Sequence, residues 1–536
     1  MVEMMATSRH GGDDDDDEAL TSHLKSKVSS EVMFHHEHPA SHKPAAVAAA
    51  ADESREAYCR PGIRGLFDSQ FVALCAAFSA LGGLLFGYDQ GVVSVILVED
   101  QFLARFGRIA DGVSGAGFWK GLLTAMIELG ALLGALNQGW IADRYSRKYS
   151  IVIAVCIFTV GSALQTGAVD YSMLVVARFV GGVGIGMLSM VAPLYIGEIS
   201  PPEIRGTLLV LEEWSIVAGI VVAFWITYAT RYIASEWAWR LPFLLQMLPG
   251  FVLAGGILFL PFSPRWLASR GRDGESLQAL GRLRGLPPTD ARVQLEWFDI
   301  RAEVALHQEL TVERHPHLQD GSTVSRVRLE LASWTDCFTK AWRRTHVGMM
   351  LAFFQQFVGI NALIYYSPTL FKTMGLDYSM QLIISLWTMD RFGRRPLLLV
   401  GALAMFLAHL IIAVLVARFS ADWPAHRPAG WASIFPSSLR AKGVGLSTAS
   451  NWLNNFVIGL VTPPLVQHTG YGAYVFFAVF CLLGFVWVFV FVPETRGKTL
   501  EQMDRVFGDV SSEAEEARRA RIERDLAAHG DLPASV

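Results

Sequence analysis

Apolar residues in this chain run in blocks of about 20, the length a helix needs to cross roughly 30 Å of hydrocarbon. Ile151–Ala168 carries no charge, and Gly443–His468 carries none before its terminal histidine. A soluble helix would instead show a polar stripe along one face. The pattern predicts spans at Phe71–Val98, Phe118–Ile141, Tyr149–Val169, Met173–Ile196, Thr207–Thr230 and Leu241–Phe262. After the polar, Arg- and Glu-rich stretch Ser263–Arg344, it predicts further spans at His346–Phe371, Pro396–Val416, Gly443–Val466 and Tyr471–Phe491. The reading is an all-α membrane protein. A disordered tail (1–65) precedes a six-helix bundle (66–262), a linker with short helices (263–344), an incomplete second bundle (345–492) and a C-terminal tail (493–536).

The two groups of spans are versions of one unit. Asp143-Arg144-Tyr145-Ser146-Arg147-Lys148 recurs as Asp390-Arg391-Phe392-Gly393-Arg394-Arg395, each copy between apolar runs. Duplication of this kind marks secondary transporters. The second copy arrives early: 72 residues separate Phe71 from Asp143, but only 45 separate Thr345 from Asp390. Met380–Met389, the ten residues before the second loop, would reach about 15 Å as a helix, half the hydrocarbon thickness. From Asp143 to Arg205 is 62 residues and from Asp390 to Arg440 only 50. No eighth or tenth span can be drawn, so both are expected to be truncated or missing. Coding segments excised as introns and a truncated paralogue are the two explanations.

Composition narrows the partners. The 536 residues are 52% hydrophobic and 18% charged with a net charge of −4, and no basic stripe suggests nucleic acid. The five cysteines are scattered without a C-x-x-C pair, which reads as core thiols rather than a disulfide framework or zinc site. Asp13–Asp17 and His35-His36-Glu37-His38 lie in the polar first 60 residues and read as a solvated tail. No cleavable signal precedes Phe71–Val98, so that span is expected to direct insertion. Arg144, Arg147 and Lys148 after span 2, and Arg265, Arg270, Arg272, Arg282 and Arg284 in the linker, place those loops and both termini on the cytoplasmic side. Trp119, Trp140, Trp237 and Trp239 fall near span ends as belt aromatics. Gly83/Gly87, Gly130/Gly134 and Gly182/Gly186 recur at helical spacing, which lets helices approach closely. No phosphate-binding loop, hydrolase constellation or metal cluster is present in the sequence, so neither an enzyme nor a cofactor is expected.

An ordered set of motifs goes further. Arg178-Phe179-Val180-Gly181-Gly182-Val183-Gly184-Ile185-Gly186, Pro193-Leu194-Tyr195-Ile196-Gly197-Glu198 and Pro202-Glu203-Ile204-Arg205-Gly206 occupy and follow span 4. Pro261-Phe262-Ser263-Pro264-Arg265-Trp266-Leu267 closes the first group, Gln355-Gln356-Phe357-Val358-Gly359-Ile360-Asn361 lies in span 7, and Pro493-Glu494-Thr495-Arg496-Gly497 follows the last span. With these motifs the chain resembles the sugar porter family of the major facilitator superfamily, and its fungal monosaccharide transporters in particular, over about Gly65–Phe507. The resemblance implies two pseudo-symmetric six-helix bundles, alternating access, and a monosaccharide carried together with H⁺ across the plasma membrane. A facilitative carrier of sugar, polyol, disaccharide or quinate, a nutrient sensor and an inactive truncated transporter are the alternatives.

Candidate site residues follow. Gln355, Gln356 and Asn361 of span 7, continued by Tyr365 and Tyr366, and Asn451, Trp452 and Asn455 of span 11 offer donors, acceptors and aromatic faces suited to a sugar. Amide bonding between helices is the simpler role. By resemblance, Gln355, Gln356, Asn361, Asn451 and Trp452 align with sugar contacts, while Glu213 stands where many family members carry a sugar-binding glutamine. Asp89, a carboxylate at membrane depth, must be paired or readily protonated, and Arg178 is its expected partner. Proton-coupled members of the family carry Asp at this position and facilitative animal members carry Asn, so the pair is the expected proton-coupling site. Glu128 is a further intramembrane acid. Asp143, Arg144, Arg147, Glu198, Arg205, Arg265, Asp390, Arg391, Arg394, Arg440 and Glu494 fall at cytoplasmic span ends. Opposite charges meeting there in one conformation would gate the exchange of states.

Overall fold

The computed structural model describes residues 58–60, 64–110, 112–318, 322–373, 440–469, 472–491 and 512–528. Every regular element among them is helical. The first group comprises α1 (Gln70–Ile96), α2 (Ala116–Tyr145), α3 (Arg147–Thr166), α4 (Tyr171–Ile199), α5 (Arg205–Thr230), α6 (Trp237–Leu245) and α7 (Met247–Ile257). The linker folds into α8 (Pro264–Ser269), α9 (Asp273–Arg284), α10 (Ala291–Arg314) and α11 (Thr323–Thr339). Then come α12 (Trp342–Phe357), α13 (Ile360–Thr373), α14 (Arg440–Thr469), α15 (Gly472–Phe491) and α16 (Ser512–Ala528). Among the described residues, seven helical segments are long and apolar enough to cross a membrane, with α6–α7 and α12–α13 each counted as one. The 30 residues of α14 are long enough as well, but Asn451, Asn454 and Asn455 dilute their apolar character.

Two spans predicted as continuous are interrupted, each for a local reason. The sixth ends one helix at Leu245 and starts another at Met247. Pro249, lacking an N–H, cannot bond the carbonyl of Leu245 four residues back and crowds it. The seventh stops at Phe357 and resumes at Ile360, because Gly359 takes φ 87°. That value lies in the left-handed region, where only glycine avoids a Cβ clash.

Within the first group the helices approach to backbone contact. A Cβ added at Gly87 would lie 1.9 Å from the carbonyl oxygen of Ile216, and one at Gly186 would lie 2.0 Å from that of Ala131. These spots fix α1 on α5 and α2 on α4, where dispersion and close approach replace the hydrophobic drive absent in lipid. Around them Leu85, Ile127, Phe158, Ile185, Tyr195 and Leu253 form a buried core. The linker is tied to the same bundle: Trp266 Nε1 donates to Asp143 O at 3.0 Å, and Arg284 Nη1 donates to Ile199 O at 2.8 Å. On α10, Ala302, Leu306 and Leu310 cover Ile522 of α16, flanked by Arg521–Glu309 at 2.6 Å. The predicted Pro396–Val416 span, the shortfall at spans 8 and 10, and most of the two tails lie outside the described residues.

Candidate functional site

Asp89 stands six residues beyond Gly83, on the part of α1 held against α5 and close to α4. Arg178 Nη2 donates to Asp89 Oδ2 at 3.3 Å, and Arg178 Nε donates to Leu123 O of α2 at 2.8 Å. Both side chains are 1% exposed. Asp89 Oδ1 and Arg178 Nη1 have no hydrogen bond among the described residues. An ion pair this deep, joined at one contact and with capacity left over, is electrostatically expensive to keep fully charged.

The interruption of the seventh span assembles an amide chain. Asn361 Nδ2 donates to Gln356 Oε1 at 2.6 Å, and Gln356 Nε2 donates to Asn451 Oδ1 of α14 at 2.6 Å. Nearby, Trp452 Nε1 donates to Ser189 Oγ of α4 at 3.1 Å, and its ring meets Phe86 of α1 edge-on at 4.9 Å. Tyr366 Oη donates to Gly459 O at 2.7 Å. Tyr365 Oη donates to Glu128 Oε1 of α2 while accepting from Gln90 Nε2 of α1 at 2.8 Å and Asn455 Nδ2 of α14 at 3.3 Å. Gln356, Asn361, Tyr365, Tyr366, Trp452 and Asn455 are buried. Gln355 and Glu213 are exposed and stand apart from this chain of bonds.

At the other end of the first bundle the charges converge on Arg147. It donates through Nη2 to Glu198 Oε1 at 2.8 Å and through Nη1 to Asp143 Oδ1 at 3.0 Å, joining the start of α3 to the ends of α4 and α2. Ser146 makes the turn between α2 and α3 at φ 84°. Arg265 pairs with Glu303 of α10. Arg205 Nη2 reaches Ser200 O at 3.4 Å, and Arg144 is exposed. The described contacts of this cluster thus lie inside the first bundle and its linker. Arg440 opens α14, whereas Asp390, Arg391, Arg394 and Glu494 lie outside the described residues. A contact with the second half does occur in the linker, where Lys442 of α14 pairs with Glu330 of α11.

Sequence reasoning left out Gln90, Ser189 and Phe86 and gave Glu128 no role. Gln90 and Glu128 were detectable as polar residues at membrane depth, which are rare without a function. Ser189 and Phe86 carry no such signal, since serine and phenylalanine are ordinary in spans.

A family model described as "Sugar (and other) transporter" matches residues 75–426 and 429–507. The chain is 31% identical over 494 residues to the MFS glucose transporter mfs1 of Aspergillus flavus, covering 81% of this chain and 89% of that one. It is 29% identical to the low-affinity glucose transporter HXT3 of Saccharomyces cerevisiae, covering 86% and 88%. Among solved structures, the proton:xylose symporter XylE of E. coli, bound to 6-bromo-6-deoxy-D-glucose, superposes with a TM-score of 0.61 at 26% identity, over 82% of this chain and 99% of the symporter.

Proposed function

The chain belongs to the sugar transporter family of the major facilitator fold, and from that premise we propose that it carries a monosaccharide together with a proton by alternating access. One connected arrangement carries the reading. Asp89 and Arg178 form a buried pair in the first bundle, and Gln90, the next residue of α1, bonds at 2.8 Å to Tyr365, which stands four residues beyond Asn361 of the amide chain. Proton chemistry on one side of the interface is thereby in mechanical contact with a sugar-binding surface on the other.

Chemically, the amides of Asn361, Gln356 and Asn451 bond to one another and can exchange those bonds for sugar hydroxyls at little net cost. Trp452 offers an aromatic face to the apolar side of the ring. A proton on Asp89 removes the carboxylate charge, so Arg178 loses its attraction and α1 is freer to move against α4. The Arg147–Glu198–Asp143 cluster holds the opposite end of the first bundle as one body during that motion. Glucose in two relatives and xylose in the structural neighbour support a monosaccharide as cargo. The multi-pass fold resides in a membrane; we assign it to the plasma membrane with the Arg144–Lys148 loop and both termini in the cytoplasm.

The test is uptake of labelled glucose and xylose into a hexose-uptake-deficient yeast while external pH is recorded. Symport predicts uptake accompanied by external alkalinisation. Uptake without alkalinisation would leave a facilitative carrier, and polyols and quinate belong in the same panel. The spacings of 45 and 50 residues where the first half has 72 and 62 favour a second reading, a family member two spans short that transports nothing. Sequencing the transcript across codons 380–390 and 425–436 separates this from intron excision: an unbroken message matching the chain supports the truncated protein.

A further inference from the structure

Glu128 is a buried acid with no part in the scheme above. It lies on α2 at 0% exposure, its Oε1 accepting from Tyr365 and its Oε2 without a hydrogen bond among the described residues. Through the Tyr365 hydroxyl four helices meet: Gln90 of α1 and Glu128 of α2 from the first group, Tyr365 of α13 and Asn455 of α14 from beyond the linker. Around this point uncharged contacts also join the two groups. A Cβ at Gly121 would meet Leu460 O at 2.5 Å, and Tyr366 packs with Tyr88, Leu123 and Tyr171 in a common apolar cluster. Among the described residues, the titratable and charged groups around Glu128 are Asp89 on α1, Arg178 on α4, and Tyr365 and Tyr366 on α13, with Lys120 two turns away on α2 itself. On α14 it meets the amide of Asn455. Arg178, the cation that acts on it among the described residues, already bonds Asp89 and Leu123 O.

We propose that Glu128 binds a proton separately from Asp89, and that its bond with Tyr365 is a proton-sensitive latch between the two halves. A hydrogen bond to an ionised acceptor is roughly twice as strong as one to a neutral acceptor. Ionised Glu128 therefore grips Tyr365. A proton arriving from water onto Oε2 leaves Oε1 a neutral carbonyl oxygen, the grip weakens, and the halves part more readily at the end away from the Arg147 cluster. Only the use of this latch in transport rests on the function proposed above; the proton site itself does not.

Two measurements on the full-length protein in lipid decide it. In infrared difference spectra taken as pH is lowered, the protonated-carboxyl band of Glu128 should vanish in Glu128→Gln and persist in Asp89→Asn. If Glu128→Gln removes no band, the proton site is overturned. For the latch, spin labels are placed at the exposed Val113 and His468, with the exposed Cys156 changed to Ala. The label separation should lengthen on acidification, respond likewise in Glu128→Asp, and lose its pH response in Glu128→Gln. Tyr365→Phe removes the bridge while keeping the acid, and should also abolish the response. An unchanged pH response in Tyr365→Phe overturns the latch even should Glu128→Gln fail to fold. Absence of sugar uptake by the unaltered chain would sink the transport reading and leave both of these results standing.

Discussion

The amide chain depends on the turn at Gly359, and replacing that residue with alanine should damage both stability and sugar binding. In an unbroken helix, Gln356 and Asn361 would point about 140° apart, at about 100° per residue. Across the interruption their amides lie 2.6 Å apart. An alanine at φ 87° would sit in the left-handed region at roughly 1–2 kcal/mol. Its Cβ would also fall 2.8 Å from Cδ1 and Cγ of Phe477, well inside the usual contact distance of about 3.5–4.0 Å. Displacing that ring from its edge-on contact with Phe476, at 5.4 Å, adds about 1–2 kcal/mol of overpacking. The expected destabilisation is therefore about 2–4 kcal/mol if the turn survives. If the helix straightens instead, the strain is relieved but Asn361 swings away, and sugar affinity falls roughly tenfold, about 1.4 kcal/mol. Thermal unfolding in detergent together with equilibrium binding of labelled glucose reads both outcomes. Gly255→Ala is the control: it is helical, with nothing within 4 Å of the added Cβ, and should be neutral or up to about 1 kcal/mol more stable. Gly359→Ala with unaltered melting and unaltered affinity would refute the argument that the turn holds the amides.

Two further predictions concern loops. Ser146 holds φ 84° and ψ 157°, a conformation that strains a non-glycine residue by about 1–3 kcal/mol, and the repeat copy has Gly393 at this place. Ser146→Gly gives up the Ser146 Oγ bond to the Tyr149 N–H at 3.3 Å, worth a few tenths of a kcal/mol at such a cap; it should melt higher, by about 1 kcal/mol net, and a lower melting point would contradict the strain. Glu99, buried beyond the end of α1, has a carboxyl pushed up to about 7 by burial first and by Asp100 second, against the pull of Arg231. Because the folded value lies above the ordinary one, stability is greatest below about pH 4.5, falls as pH rises towards 7 and stays low above it. Glu99→Gln should gain about 3 kcal/mol over the unaltered chain at pH 8 and nearly nothing at pH 4; equal effects at both pH values would show that the carboxyl does not titrate as described.

The spans were legible because membrane depth demands long apolar blocks, and only a helix satisfies their backbone. The interruptions were not, although Pro249 and Gly359 are plain in the sequence. A hydropathy pattern registers length and composition, whereas a break depends on which carbonyl loses its partner. Gln355 and Gln356 were read as a pair because they are neighbours in the chain. On a helix they point about 100° apart, and only Gln356 joins the buried amides. Asp89 stood out through the cost of an acid in lipid, and the same logic applied to Glu128. What the sequence could not convey was its partner: Tyr365 lies 237 residues away, and no periodicity links the two. The charged loops were legible as a group, but their pairing partners within the linker, such as Glu303 for Arg265, depend on how α10 folds back.

The central claim is that Asp89 couples the proton to the sugar. Its most direct measurement compares Asp89→Asn with the unaltered protein in proteoliposomes, reading pH-gradient-driven accumulation of labelled sugar beside gradient-free exchange. Asparagine keeps an acceptor for Arg178 Nη2, 3.3 Å away, but can carry no proton at this position. Asp89→Asn should retain exchange and lose accumulation. Accumulation undiminished in Asp89→Asn, at unaltered exchange, would contradict it.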